Sequence, residues 1–433
     1  MIELQDCLGR MFTKAQLPAE LQLYAQTLPA MKEEKGKLCC NRCGQVVNKE
    51  KQQLPIGAYY CRSCLILGRV RSDEKLYYFP QAEFPKTNVL KWEGRLTDYQ
   101  AKVSQGLVEA VAKRKDSLVH AVTGAGKTEM IYQVVAQVID QGGAVCLASP
   151  RIDVCLELYR RLKIDFACDI SLLHGESEAY FRSPLVIATT HQLLKFYRAF
   201  DLLIVDEVDA FPYVDNPMLY HAVHQAVKEH GTKIFLTATS TDELDKRVSK
   251  GELSRLSLPK RFHGNPLIVP RKVWLENFQK YLNQKKLVPK LEQFVKKQRK
   301  TGFPLLIFAS EIKRGQEFAE VLQNNFPNEK VGFVASTTEN RLEIVEKFRQ
   351  KEITILVTTT ILERGVTFPC VDVFVVEANH RLFSRSALVQ IAGRVGRSME
   401  RPTGELIFFH DGTTMAIEKA IKEIQEMNQE AGL

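Results

Sequence analysis

The sequence predicts two doubly wound parallel α/β domains in tandem behind a small four-cysteine module, and three observations carry that reading. From about Leu96, short apolar runs alternate with amphipathic helical stretches. The alternation is broken once, by a basic segment, and then resumes. The residues before it lack this rhythm and hold two CxxC pairs. The apolar runs of the first half are SLVHAV (117–122), AVCLAS (144–149), PLVIATT (184–190), DLLIVD (201–206) and KIFLTAT (233–239). Those of the second half are PLLIFAS (304–310), KVGFVAS (330–336), ITILVTTT (353–360), VDVFVVEA (371–378) and GELIFFH (404–410). Runs this continuous suit central parallel strands covered by helices on both faces. The expected divisions are 1–92 for the cysteine module, 93–262 for the first α/β domain, 263–300 for a basic hinge and 301–433 for the second α/β domain.

Composition agrees with a globular protein: 45% hydrophobic and 26% charged residues rule out disorder, collagen and coiled coil. No run approaches the roughly 18 apolar residues that span a bilayer, and the first residues carry acids where a signal peptide would be basic and then apolar. A cytoplasmic chain is expected. Ten cysteines in 433 residues fall short of a disulfide scaffold, which also fits a reducing compartment. The net charge is +9, and it is local: Lys246 to Lys300 holds 16 Lys and Arg against Glu252, Glu276 and Glu292, so that window carries +13 and the rest −4. Such a window is either a solvated linking face or a surface that tracks an anionic polymer.

Cys40, Cys43, Cys61 and Cys64 are spaced as CxxC, 17 residues, CxxC, within the range for a tetrahedral Zn²⁺ site built from two knuckles. Gly44 supplies the turn that a knuckle needs, and a ligand set with no open position argues for a structural metal. Cys39 remains an alternative to Cys40. A redox CxxC pair lacks its usual βαβ context here. Tyr59, Tyr60, Arg62, Arg69, Arg71, Tyr77 and Tyr78 could stack on and neutralise a single strand as readily as pack. The module is expected to be separable from the α/β domains, so loss of its metal should spare the reactions they carry.

Ala121-Val-Thr123-Gly124-Ala125-Gly126-Lys127-Thr128 follows an apolar strand and precedes a helical pattern, the placement a phosphate-binding loop requires. Glycines let backbone N–H groups close around phosphates, Lys127 reaches the β and γ phosphates, and the Thr128 hydroxyl can ligate Mg²⁺. Ala121 stands where the general pattern has its first glycine. Downstream, the strand Leu202–Val205 ends in Asp206, Glu207 and Asp209. A parallel sheet brings those acids to the same edge as the phosphate loop, where Asp206 can hold Mg²⁺ through its waters and Glu207 can activate the attacking water.

From about Leu96 onward the order of motifs resembles the superfamily 2 helicases and translocases, whose phosphate loop takes the Ala-first form AVTGAGKT and whose α/β domains are RecA-like. LTDYQ (96–100) resembles the element in which a glutamine, here Gln100, reads adenine. ASPR (148–151) and ATTHQLL (188–194) resemble nucleic-acid-contacting loops, and TAT (237–239) the element coupling hydrolysis to domain motion. TTTILERGVTFP (358–369) resembles the second domain's nucleic-acid loop, and QIAGRVGRS (390–398) its arginine-finger helix. By that resemblance Gln390, Arg394 and Arg397 face the nucleotide, and the two arginines, one helical turn apart, share a face. A core this short with an N-terminal four-cysteine module resembles the ComFA family, the ATPases of bacterial DNA uptake during competence. The resemblance implies ATP, Mg²⁺ and Zn²⁺ as cofactors and translocation on single-stranded DNA. It further implies the DNA-uptake channel and other competence proteins as partners, with peripheral association at the inner face of the cell membrane, and leaves an oligomer open. A replication-restart or repair helicase of the same superfamily is the alternative.

Overall fold

The computed structural model describes residues 3–239, 241–363 and 368–433. The chain forms two compact units, Met1–His120 with Lys127–Ser257, and Ala121–Gly126 with Leu258–Leu433.

A seven-stranded sheet organises the first unit in the order Ser254–Leu258, Ser117–Ala121, Val227–Thr237, Phe200–Val205, Val145–Ser149, Leu185–Thr189, Ile170–Leu173. The neighbours of Phe200–Val205 run parallel to it, with Ile204 opposite Ile234 on one side and Leu147 on the other. Leu202 to Val205 are buried on both faces, as their uninterrupted apolar sequence requires. The amphipathic helices Asp98–Ala112, Ile152–Asp165 and Pro217–Ala226 each bury one face, and Tyr132–Asp140 is buried at six of its nine residues.

The second unit holds a six-stranded parallel sheet in the order Arg271–Trp274, Leu406–His410, Asp372–Val375, Leu305–Phe308, Ile355–Thr358, Val331–Val334. Helices Ile312–Asn325, Arg341–Arg349 and Met415–Glu430 accompany it. Both sheets have the parallel, doubly wound character expected from the sequence. The segment 263–300, read as a hinge, is built into this unit: Arg271–Trp274 pairs with Leu406–His410, and Val273, Leu282, Leu291 and Val295 are buried in the same core as Leu305 and Phe374.

Before the first large sheet, Met11–Thr13, Lys75–Tyr78 and Gln26–Pro29 form an antiparallel sheet, and Met31–Glu34 pairs with Lys37–Cys40 as a hairpin. This region does not stand apart. The Gly9 carbonyl accepts from Tyr197 N at 3.0 Å, Tyr78 lies against Tyr197 with ring centroids 4.6 Å apart, and the Asp6 carboxylate accepts from Arg182 N at 2.9 Å. The four knuckle cysteines belong to one apolar core with Phe196, Leu219 and Val223. Separability is therefore corrected: burying both elements in one core ties their stabilities together.

Candidate functional site

Strand Ser117–Ala121 is buried along its whole length and delivers the chain to a turn, after which helix Lys127–Met130 begins. Gly124 and Gly126 sit at φ +79° and +72°, a region that side chains strain to occupy, so the loop needs glycine at both positions. Successive backbone N–H groups in such turns can form a concavity for anions. Lys127 Nζ lies 3.3 Å from Asp206 Oδ1, with the two side chains 21% and 17% exposed. Thr128 lines the same pocket as both of them, with Ile204 and Leu236 as its apolar wall. The lysine ammonium is thus held beside the Asp206 carboxylate at the wall of this pocket.

Asp206 N donates to the Ala148 carbonyl at 2.8 Å, which extends the strand pairing by one residue and fixes where the carboxylate emerges. Its Oδ1 accepts from Glu207 N at 2.8 Å. Glu207 adopts φ +55°, an uncommon conformation for a residue with a Cβ, and persists because the surrounding structure holds it. Asp209 is 6% exposed and accepts a hydrogen bond from the Thr239 hydroxyl, while Thr239 N donates to Thr237 Oγ1 at 3.1 Å. The TAT element is therefore bonded to the acidic box, a physical link between the ends of two neighbouring strands. ASPR, ATTHQLL, DEVD and TAT all follow the C-terminal ends of parallel strands and so lie along one edge of the sheet.

Gln100 is the N3 residue of helix Asp98–Ala112, and its amide oxygen accepts from Thr97 N and Thr97 Oγ1 at 2.9 and 3.1 Å. The side chain expected at adenine thus closes a capping box with Thr97 and is 6% exposed.

In the second unit, helix Arg385–Ala392 starts at Ser384, whose hydroxyl accepts from Ala387 N, and it ends before the arginines. Gln390 lies in its last turn and is 7% exposed, and Arg394 is 3% exposed. The helical face shared by Arg394 and Arg397 is corrected: the chain turns at 393–396, with Gly396 at φ +64°. Glycine is required at 393 because a Cβ there would overlap the Thr123 hydroxyl. Sequence reasoning missed Arg261, whose buried guanidinium donates to the carbonyls of Val395 at 2.9 Å, Gly393 at 3.3 Å and Gly396. Burial, and then the charge of Arg397, pull its pKa down to about 10. Its place in the basic window masked it. Of TTTILERGVTFP, residues 364–367 lie outside the described residues; Thr358 is buried and its hydroxyl donates to the Val334 carbonyl at 2.9 Å.

The sulfurs of Cys40, Cys43, Cys61 and Cys64 lie within 4.8 Å of one another and all four residues are buried. Cys43 and Cys61 are 3.5 Å apart and Cys40 and Cys64 3.8 Å. A tetrahedral Zn²⁺ with bonds of about 2.3 Å separates its sulfurs by about 3.8 Å, so this donor set fits zinc. Hydrogen bonds among the sulfurs hold the Cys61 thiol far below the usual range and push Cys64 above it. Cys39 lies outside the group because strand Lys37–Cys40 alternates its faces; its sulfur sits 3.8 Å from the Lys37 carbonyl. Gly44, at φ +70°, closes the first knuckle by donating its N–H to the Cys40 carbonyl at 2.8 Å. Arg42 was also missed: it is 1% exposed, donates to the carbonyls of Leu67 and Met11 and to Gln16 Oε1, and sets a positive charge beside the cysteines.

Comparison with known proteins adds to this geometry. Residues 8–78 match the competence protein ComFA N-terminal domain, 97–246 the DEAD/DEAH box helicase domain and 286–399 the helicase conserved C-terminal domain. The chain is 70% identical over 428 residues to competence protein ComFA of Streptococcus pneumoniae, covering 99% of each. It is 40% identical over 407 residues to competence protein ComFA of Bacillus subtilis, covering 91% of this chain and 86% of that one. Among solved structures, RecG bound to a three-way DNA junction superposes with a TM-score of 0.54 at 19% identity, over 79% of this chain and 46% of RecG, a likeness of fold. The helicase domains and the site together make the chain a helicase-like ATPase of superfamily 2. No described helix is long and apolar enough to cross a membrane.

Proposed function

The chain belongs to the ComFA family of competence proteins, and on that premise we propose that it is an ATP-driven translocase on single-stranded DNA that draws transforming DNA into the cell. The observation that carries the reading is the bonded set Lys127–Asp206 and Asp209–Thr239 at one edge of a parallel sheet. Phosphate chemistry is thereby tied to an element leading out of the nucleotide site.

In this reading Thr123, Gly124, Ala125 and Gly126 cradle the phosphates, and Lys127 neutralises the β and γ oxygens. Thr128 and Asp206 hold Mg²⁺, which supplies charge stabilisation of the transferring phosphoryl group. Glu207 orients the attacking water and takes its proton. Gln100 and Gln390 position the nucleotide, and Arg394 and Arg397 sense the γ-phosphate. Departure of phosphate releases these contacts, and alternation between the two states moves the strand. The cysteine module holds structural Zn²⁺. The lysine-rich window from 246 to 300 follows the DNA backbone. The working place is the inner face of the membrane at the DNA-uptake channel, with other competence proteins.

The test is a translocation assay on single-stranded, tailed and blunt substrates, with Asp206→Ala as control. ATP-dependent movement along the single strand that fails in Asp206→Ala supports the proposal. Efficient separation of blunt duplexes points to a restart or repair helicase instead, and no movement on any substrate overturns both.

A further inference from the structure

The cysteine module reaches the hydrolytic carboxylates through an unbroken series of contacts within the first unit. Helix Pro217–Ala226 is gripped by the first knuckle: Gln225 Nε2 donates to the Asn41 carbonyl at 3.1 Å, and a Cβ on Gly44 would come within 2.8 Å of the His221 ring. Both ends of that helix lead to the acidic box. At its start, the Asn216 side chain caps the helix by accepting from Met218 N at 3.1 Å and donates to the Pro212 carbonyl at 3.0 Å. Asn216 N donates to Tyr213, Tyr213 N to Ala210, and Ala210 N to the Glu207 carbonyl at 2.9 Å. At its end, the carbonyls of Gln225 and Ala226 accept from Arg198 N and Ala199 N, each at 2.8 Å, and the next residues are the strand Phe200–Val205 that delivers Asp206. A second grip falls on the same stretch, where a Cβ on Gly9 would meet the Ala199 Cβ at 2.9 Å.

The geometry points to Gln225 and His221 as positioning residues for ATP hydrolysis: the zinc-clamped Cys40–Gly44 knuckle, through them, fixes the segment that carries Asp206 and Glu207. Two features make this more than shared packing. Glu207 is held at φ +55° and depends on its neighbours to stay there. A general base must also sit within a fraction of an ångström of its water, so slack in the segment lowers turnover before it lowers nucleotide affinity. The inference rests on the ATPase reading above and reverses the expectation that metal loss spares the reaction.

The experiment compares full-length wild type, Gln225→Ala and Gln225→Leu, the last keeping bulk while removing the bond to Asn41. Zinc per chain, ATP affinity, kcat, and amide exchange over residues 207–216 are measured on the same preparations. Both variants should keep their zinc and bind ATP nearly as wild type. Their kcat should fall about tenfold, a misplacement effect, with faster exchange over 207–216. Zinc stripped from wild type by a chelator should lower kcat and exchange protection together, and refilling should restore both. Wild-type kcat in a zinc-loaded Gln225→Leu, or full turnover by stripped wild type, overturns the positioning role. Absence of ATP hydrolysis in wild type itself would instead overturn the ATPase reading.

Discussion

Replacing Lys127 by alanine separates chemistry from stability at the nucleotide site. In the structure the ammonium lies 3.3 Å from Asp206 with both side chains largely buried. Unit charges at that distance interact by about 5 kcal/mol at an effective dielectric of about 20, a gross figure from which desolvation must be taken. What counts for the rate is the part gained only as charge develops on the transferring phosphoryl group. Removing one such donor costs about 10² to 10³ in kcat, or about 2.7 to 4 kcal/mol. The folded protein loses far less, because Asp206 keeps its 2.8 Å bond from Glu207 N and a partly solvated ion pair contributes about 1 kcal/mol or less. Phosphate release at saturating ATP and single-stranded DNA, beside a thermal scan, is the assay. A rate within a few-fold of wild type would refute the phosphate-binding assignment. A fall in turnover matched by a collapse of the melting transition would refute the separation of chemistry from stability.

Arg394→Ala and Arg397→Ala should bind ATP yet hydrolyse it about 10³-fold or more slowly, since arginine fingers act mostly at the transition state; nucleotide binding that disappears in step with turnover would make them ground-state ligands. Replacing Lys285, Lys286, Lys296 and Lys297 by Gln should flatten the salt dependence of DNA affinity by about 0.7 in log–log slope for each phosphate no longer neutralised. Lys296 is paired with Glu292 at 2.5 Å and should contribute least; an unchanged slope returns the segment to a solvated face. Cys61→Ser should lose zinc and with it turnover, read by metal analysis beside the ATPase rate, whereas Cys39→Ser should keep both because its sulfur lies outside the cluster.

The ten apolar runs named from the sequence are all strands; nine lie inside their sheets, where burial on both faces leaves a continuous signature, and the tenth, Val331–Val334, is a half-buried edge strand. The strands of the two large sheets that escaped notice lie at sheet edges: Ile170–Leu173, Ser254–Leu258 and Arg271–Trp274. In Arg271–Trp274 three of the four residues are exposed, and in Ser254–Leu258 Arg255 and Ser257 are, so their sequences read as linker. The same exposure hid the folding of 263–300 into the second unit. Motif spacing brought out the phosphate loop, the acidic box and the four cysteines, since their chemistry dictates residue type at fixed intervals. Cys39 could not be separated from Cys40 without knowing the strand that turns them to opposite faces. Arg261, Arg42 and Gln225 act across 132, 31 and 184 residues of chain on backbone carbonyls, and a carbonyl leaves no mark in sequence. The positive φ of Glu207 is equally silent, because it is imposed by the tertiary structure around it.

A motor built for single-stranded DNA is tested most directly by the ATPase rate of the full-length protein with single-stranded DNA, duplex DNA and RNA of equal length at matched salt. Strong stimulation by single-stranded DNA and little by duplex or RNA is expected, with the stimulation abolished in Asp206→Ala. Equal stimulation by RNA, or a rate that no nucleic acid raises, would contradict such a motor.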